Sequence, residues 1–381
     1  MAVWSMRSSK RATRLALPLS WSLLPLLVLL AAGCTPDRQG RRVTETDGDQ
    51  GGSDAGSHQD LADDQDQGPD SGDVGGSFDT GSPPADSGTP ADSGTPVDSG
   101  TPVDSGTSGD LRFTLATYNV ENLFDEVDDP ATEDNVYSDY QVEAKLDRLA
   151  TAIRTLGADV IALQEVEHEG MLDRLFEHDW LQAHGYAHRR LIEADHIRGI
   201  DVAIVSKLPL ELVISHAADR WRVDGRSFYF NPDCLEVRLR VGGRLVVVYV
   251  NHFPSQLGGA EAELIRQALA ARVNVLVGTT LTHFPEALVA VAGDLNDTPD
   301  SPTLARLLGA GDDALVDLTQ LVPAGERYSY TYHGTRQVLD YIVAAPGLAR
   351  LAVTGGARFV HNDAAAAASD HSPLVVEFRL P

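Results

Sequence analysis

The chain has 381 residues, a formal net charge of −26, 43% hydrophobic residues and two cysteines. Its length would allow two or three domains, but so acidic a balance excludes a protein that grips nucleic acid through a broad basic stripe. The two cysteines, Cys34 and Cys234, exclude a disulfide framework, because Cys34 belongs to an export segment.

Residues 1–34 read as a bacterial lipoprotein signal. Arg7, Lys10, Arg11 and Arg14 form a basic start, residues 15–30 are almost wholly apolar, and Ala31, Ala32 and Gly33 precede Cys34. Small residues there make a cleavage site, and the thiol directly after it is the acceptor for the lipid. A spanning helix needs ~20 clean apolar residues, and Pro18, Ser20, Ser22 and Pro25 interrupt this run. The expected location is extracytoplasmic, on the bacterial cell envelope, with membrane contact only through the lipid on Cys34. Residues 35–109 are rich in Gly, Ser, Asp and Pro and end in a six-residue repeat starting at Ala85, Ala91, Val97 and, truncated, Val103. Calcium-binding repeats carry a large apolar residue to build a core, and Ala or Val stands there instead. A solvated, self-repelling stalk fits this composition.

From residue 110 the pattern becomes that of a folded domain. Leu111, Phe113 and Leu115 alternate with Arg112, Thr114 and Ala116, a half-buried strand. Val142, Leu146, Leu149, Ile153 and Leu156 mark an amphipathic helix stopped by Gly157. Residues 159–163 form a buried strand, and a second helix follows from about Met171. Strands are expected over 202–205, 235–241 and 245–250, the last two joined by the Gly242-Gly243 turn. Ile265, Leu269, Val273 and Leu276 mark a long helix, and residues 288–292, 338–344, 351–354 and 374–378 complete the strands. Cys234 lies in an alternating strand, where a small buried hydrophobe is expected.

Several of these apolar runs end in polar clusters: Thr117-Tyr118-Asn119, Gln164-Glu165-Val166, Asn251-His252-Phe253 and Gly293-Asp294-Leu295-Asn296. Leu339-Asp340-Tyr341 and Ser369-Asp370-His371 continue the series. Ligands of open α/β sheets gather at strand ends, so the spacing points to one site assembled by folding. In this order the clusters resemble the endonuclease/exonuclease/phosphatase superfamily, together with residues 198–204 (Arg-Gly-Ile-Asp-Val-Ala-Ile) and His252-Phe253-Pro254-Ser255. The resemblance covers residue 111 to the C-terminus. It implies an α/β (α+β) fold, a four-layer αββα sandwich of two mixed sheets with helices outside, over residues 110–381.

The resemblance further implies a Mg²⁺-dependent phosphodiester hydrolase, acting as a monomer, with Mn²⁺ or Ca²⁺ as other possible ions. Cleaving a phosphodiester needs a cation on the non-bridging oxygens, an in-line water and an acid for the leaving group. Glu165 is the expected metal ligand, since Mg²⁺ prefers one or two carboxylates, with Asn119 and Asp370 as further ligands or orienting groups. Asp294 is the expected base and Asn296 a donor to developing charge; both face one side only if the backbone there is extended. His371 would contact the phosphate with Asp340 orienting its ring, and His252 would protonate the leaving oxygen. Arg198 is a weaker substrate contact. Taken singly, each has a plainer reading: Glu165 as a carboxylate opening a helix, Asn119 as a turn residue, an Asp/Asn loop before Pro299. Asp297 and Asp300 are read as such plain loop acids, and His178, His283 and His361 as ordinary histidines.

An extracytoplasmic nuclease is therefore expected. The alternatives are a phospholipid phosphodiesterase or phosphomonoesterase of the same superfamily, or a non-catalytic binding lipoprotein. A lipid-cleaving member would need an exposed aromatic hairpin, for which Phe228-Tyr229-Phe230 is the candidate. Cys34→Ser is expected to abolish lipidation and release soluble protein; a variant that still fractionates with membranes, beside a wild type that takes up no labelled palmitate, would remove the anchor.

Overall fold

The computed structural model describes residues 111–177 and 179–381. The expected export signal with Cys34, the expected stalk and His178 lie outside the described residues. In chain order the strands and helices are β1 (Leu111–Leu123), α1 (Asp139–Leu156), β2 (Val160–Val166), α2 (Glu169–Glu177), α3 (Asp179–Gln182), β3 (His188–Leu191), β4 (Asp201–Ser206), β5 (Leu210–Ser215), β6 (Trp221–Val223), β7 (Arg226–Phe228), β8 (Cys234–Val241) and β9 (Arg244–His252). Then come α4 (Gly259–His283), β10 (Leu288–Asp294), α5 (Pro302–Leu308), β11 (Val316–Asp317), β12 (Tyr330–Tyr332), β13 (Thr335–Gln337), β14 (Asp340–Ala344), α6 (Pro346–Ala349), β15 (Ala352–Phe359), α7 (Asp363–Ala368) and β16 (Leu374–Leu380).

Two mixed six-stranded sheets carry the fold, in the orders β15-β16-β1-β2-β4-β3 and β11-β14-β10-β9-β8-β5. Strand side chains alternate between faces, and in the first sheet both faces are covered. Phe113, Leu115, Val160, Ala162, Val202 and Ile204 join the core shared with the second sheet. Their neighbours Ala116, Tyr118, Ile161, Leu163, Ala203 and Val205 pack instead under α1 and α2. Burial on both sides explains why these strands read as continuous apolar runs. On the second sheet Val246, Val248 and Val250 belong to the same core as Leu269 and Val273 of α4.

α1 follows its expected register: Val142, Leu146, Leu149, Ile153 and Leu156 are buried, Ser138 and Gln141 make a capping box, and Gly157 closes the helix at φ 66°. β1 is longer than expected, because after an irregularity that holds Glu121 and Asn122 it pairs with β2 again, Leu123 opposite Val166. β3 and β5 were not expected. They lie at sheet edges, where polar residues such as those of His188-Arg189-Arg190 blunt the apolar pattern. The β6–β7 and β12–β13 hairpins also escaped, being only three residues per strand. Cys234 is buried at the start of β8.

β9 and β10 run parallel with Gly293 opposite Asn251. Gly293 has φ 150°, and a Cβ built there would lie 1.9 Å from the Asn251 carbonyl oxygen. That oxygen is backbone in the middle of a sheet, so it cannot step aside. Gly293→Ala is expected to cost on the order of 3 kcal/mol or more in urea unfolding. Gly347→Ala, whose Cβ would meet nothing closer than 3.9 Å, should stay within about 1 kcal/mol of wild type. Equal effects of the two substitutions would refute the close-approach argument.

Candidate active site

The cleft is built where both sheets end on one side. In the first sheet, β1 and β2 lose register between Asn119 and Leu123, and β2 and β4 between Gln164 and Val166. The residues in these irregularities carry left-handed backbone: Glu121 (φ 55°), Asn122 (φ 54°) and Glu165 (φ 64°). Such conformations cost a side-chain-bearing residue of order 1–3 kcal/mol and gather at functional sites. They turn Glu165 out of the strand alternation. Its Oε2 accepts from the Asn122 amide at 3.1 Å and its Oε1 from Asn119 Nδ2 at 3.2 Å.

Asn119 is buried and acts on two carboxylates at once, donating also to Asp294 Oδ2 at 3.0 Å. Its oxygen accepts the Glu121 amide at 3.0 Å. The amide nitrogen therefore faces the acids while the oxygen is engaged by backbone, so Asn119 orients carboxylates here.

The second sheet contributes a single row. Asp294 is paired in register with His252 of β9 on one side and with Asp340 of β14 on the other. Asn296 joins it through a left-handed turn (φ 50°), not the extended backbone expected for Asp294 and Asn296 to meet. The turn folds the chain back, so that the Asn296 amide binds Asp294 Oδ1 (2.8 Å) and its Nδ2 reaches Asp294 Oδ2 (3.2 Å) and the Phe253 carbonyl (2.9 Å).

His371 closes the row from the other sheet's last loop. Its Nδ1 lies 2.6 Å from Asp340 Oδ2, and its Nε2 3.8 Å from Asp294 Oδ2. Burial disfavours the charged ring, but Asp340 and Asp294 outweigh it and raise His371 to about 10. Asp294 is pushed up to about 7 by burial and then by Asp340, with His371 pulling the other way. His252 differs. Burial holds it below the ordinary histidine value despite Glu165, with Arg198 and His371 adding to the depression. Its Nε2 lies 3.7 Å from Glu165 Oε1 and 3.8 Å from Asp294 Oδ2, and its buried Nδ1 has no partner. The two rings are thus driven in opposite directions, His371 towards its charged form and His252 towards its neutral one, and the burial of His252 weighs against the acid role expected for it.

Arg198 reaches Asn122 Oδ1 and lies 3.7 Å from Glu165 Oε2. Glu165 is accordingly held below the usual carboxylate range: burial opposes this, and His252, Arg198 and the Asn119 bond overcome it. Asp370 is half exposed, with Oδ1 4.0 Å from His371 Nε2. Burial raises it, His371 opposes, and Glu121 and Glu165 add to the rise. Glu165, His252, Asp294, Asn296, Asp370 and His371 line one open cleft of about 530 Å³.

The donor set fits a hard divalent cation. Glu121, Glu165 and Asp370 all line the cleft, and the charges of Glu121 and Glu165 raise Asp370. A cation held by Glu165 and Asp370 would relieve this repulsion. Among the described residues, two groups bring carboxylate and imidazole ligand atoms within 4.8 Å: Asp294–Asp340–His371 and Asp125–Glu167–His168. In the first, Asp340 holds His371 Nδ1 and leaves Nε2 turned towards Asp294. In the second, His168 Nδ1 accepts the Met171 amide at 3.2 Å, which places the neutral ring's proton on Nε2, towards Asp125 Oδ2 at 3.2 Å. A nitrogen that donates cannot at once bind metal. That group is a clamp on the start of α2.

Several positioning residues were given no role by the sequence. Ser329 Oγ accepts the amides of Leu339 and Asp340, and Ser369 Oγ donates to the Asn119 carbonyl while accepting the His371 amide. The Tyr330 ring lies 4.9 Å from that of His371. Asp297 is no plain loop acid: it is buried and accepts from Arg266 Nε (3.1 Å) and Thr303 Oγ1 (2.7 Å), tying α4 and α5 to the loop after Asp294. His361 is satisfied by Ser372 Oγ and the Glu326 carbonyl, and His283 by the Thr279 carbonyl.

The sequence profile of the Endonuclease/Exonuclease/phosphatase family matches residues 114–371. The sequence matches no curated protein. Among solved structures, the human nocturnin catalytic domain with bound sulfate superposes with a TM-score of 0.50 at 18% identity, over 71% of this chain and 96% of that one. SmcL gives 0.50 at 18%, over 71% and 99%. Truncated Caenorhabditis elegans TDP2 gives 0.48 at 16%, over 71% and 98%. At these identities the likeness is one of fold.

Asp340→Asn is expected to lower the titration of the His371 ring well below 10, read by NMR on metal-free protein. Because the folded value lies above the ordinary 6.5, the pair stabilises the fold fully below about pH 6.5 and loses that contribution as pH rises through about 10. Wild type should therefore lose stability across this window and the variant show a flatter profile. A His371 resonance with the same midpoint in both proteins would refute the pairing.

Proposed function

The chain belongs to the endonuclease/exonuclease/phosphatase family, and from that premise we propose that it is a divalent-metal-dependent phosphodiester hydrolase acting on nucleic acid. In this reading it is extracytoplasmic and held to the envelope by lipid on Cys34. Phosphate-ester hydrolysis is the chemistry of the family. The observation that carries the narrower reading is the convergence of Glu165, His252, Asp294 and His371 on one open cleft, with Asn119 and Asp340 buried behind them and bonded to them.

Glu165 and Asp370 are the residues that would hold Mg²⁺, which when bound supplies charge neutralisation at the phosphate oxygens and an acidified water. Asp294, raised to about 7, is poised to take a proton from water near neutral pH, where general bases work best. The His371 cation, locked by Asp340, faces developing charge on phosphorus-bound oxygen. Asn119 and Asn296 fix the Asp294 carboxylate, and His252 contributes a hydrogen bond from its neutral ring.

A lipid substrate is the second reading, favoured by Leu257 and Ile197, exposed by 88% and 56% on the cleft rim. Against it, Phe228 and Phe230 are buried against Trp221, and Tyr229 lies beneath Arg220. No aromatic hairpin is therefore free to enter a membrane by that route.

Purified protein is expected to cleave oligonucleotide in Mg²⁺, to stop in EDTA, and to leave choline phospholipid vesicles intact. Glu165→Gln should eliminate turnover while leaving the melting temperature close to wild type. His252→Ala should lose a similar factor on DNA and on a nitrophenyl phosphodiester, whose leaving group needs little protonation. A loss of roughly 10²–10⁴-fold confined to DNA would restore His252 as the proton donor. Vesicle hydrolysis without DNA cleavage would overturn the nucleic-acid reading, and inactivity on every ester would leave a binding lipoprotein.

A further inference from the structure

Beside the catalytic cleft lies a second groove of about 360 Å³. It shares Glu121 and Asn122 with the cleft, and Tyr137, Tyr140, Lys145 and Arg148 form much of the rest. Tyr137 precedes the capping Ser138 of α1 and is held against Phe124, with ring centres 6.0 Å apart. Tyr140, in the first turn of α1, is 82% exposed. Lys145 is committed: its Nζ donates to the Ala368 carbonyl at 2.7 Å and sits 3.6 Å from Glu121 Oε2. It therefore offsets the one carboxylate of the groove. Arg148 is exposed and, among the described residues, makes no hydrogen bond or ion pair. Three other surface arginines are committed: Arg174 to Glu126 and Glu143, Arg189 to Asp173 and Glu177, Arg190 to Glu169.

The exposed Tyr140 and the half-buried Tyr137, beside an uncommitted guanidinium, suit an unstacked base with its phosphate. Aromatic side chains stack any base, and a nearby cation follows the backbone. We infer that this groove seats the nucleotide next to the scissile bond, its base against Tyr137 and Tyr140 and its phosphate at Arg148, so that the substrate is single-stranded nucleic acid. The inference rests on the nuclease reading above. On the cleft's other flank Tyr332, half exposed on the β12–β13 hairpin, offers a second aromatic surface. The strand then runs from that hairpin, past His371 and Asp294, to α1. A base within a duplex is stacked on its neighbours and reaches such a pocket only after costly extrusion. A short track of this kind also suits a protein with no broad basic stripe.

The test compares KM and kcat of the purified protein on short single-stranded DNA, single-stranded RNA, the matched duplex and a nitrophenyl phosphodiester, all in Mg²⁺. Tyr140→Ala is expected to raise KM for a single strand about tenfold, within the range of one base stack, and to leave kcat/KM on the small diester within twofold. Arg148→Gln should reduce the salt slope of binding to the single strand by about 0.7. The single strand, DNA or RNA, on which the loss appears identifies the natural polymer. Unchanged KM on both single strands, an equal loss on the small diester, or a strong preference for duplex would overturn the subsite. A wild type inert on every nucleic acid would instead sink the nuclease reading itself. Melting temperatures near wild type for both exposed substitutions exclude misfolding as the cause.

Discussion

The site depends on how closely β9 and β10 approach. Because Gly293 has no Cβ, its backbone can lie against the Asn251 carbonyl, and that contact sets the register of the second sheet at its catalytic end. In that register Asp294 stands between His252 and Asp340, which are otherwise remote in sequence. His371 from the first sheet's last loop then meets both acids, and Asn119 from its first strand meets Asp294. A shift of one residue would turn each of these side chains to the opposite face.

Burying three acids and two histidines together is expensive unless their charges are divided. The division follows from position. His371 sits in the field of Asp340 and Asp294, which raises it, while burial and then Arg198 lower His252. Asp294, between the two rings, is raised into the neutral range by burial and by Asp340. The unpartnered Asp340 Oδ1 and His252 Nδ1 show that the network is not fully saturated. Buried polar atoms without partners are uncommon in folded proteins, and here they cluster at the cleft.

Backbone strain gathers at the same place. Four of the six left-handed non-glycine residues among those described, Glu121, Asn122, Glu165 and Asn296, border the cleft. Each is held by hydrogen bonds from a neighbour in space: Asn122 N to Glu165, Glu121 N to Asn119, Asn296 to Asp294 and Phe253. The surrounding sheets overdetermine these conformations, which leaves the carboxylates little freedom to relax away from one another.

Much of this was legible in the sequence, because strand and helix periods report burial directly. The spacing of Val142, Leu146, Leu149, Ile153 and Leu156 determined α1, and the apolar runs ending in Asn119, Glu165, His252 and Asp294 determined which strand ends carry polar chemistry, whereas Asp340 opens β14 and faces them because that strand runs antiparallel to β10. Edge strands and short hairpins escaped, since exposed residues there carry no burial pattern. Tertiary structure alone decided the rest. Residue identity does not state a field, so the opposite charge tendencies of His252 and His371 emerged only once Arg198, Asp340 and Asp294 took their places around them. The same holds for Asn296, which meets Asp294 through a left-handed turn that no periodicity encodes, and for Ser329 and Ser369, whose hydroxyls matter only through the backbone that folding brings to them.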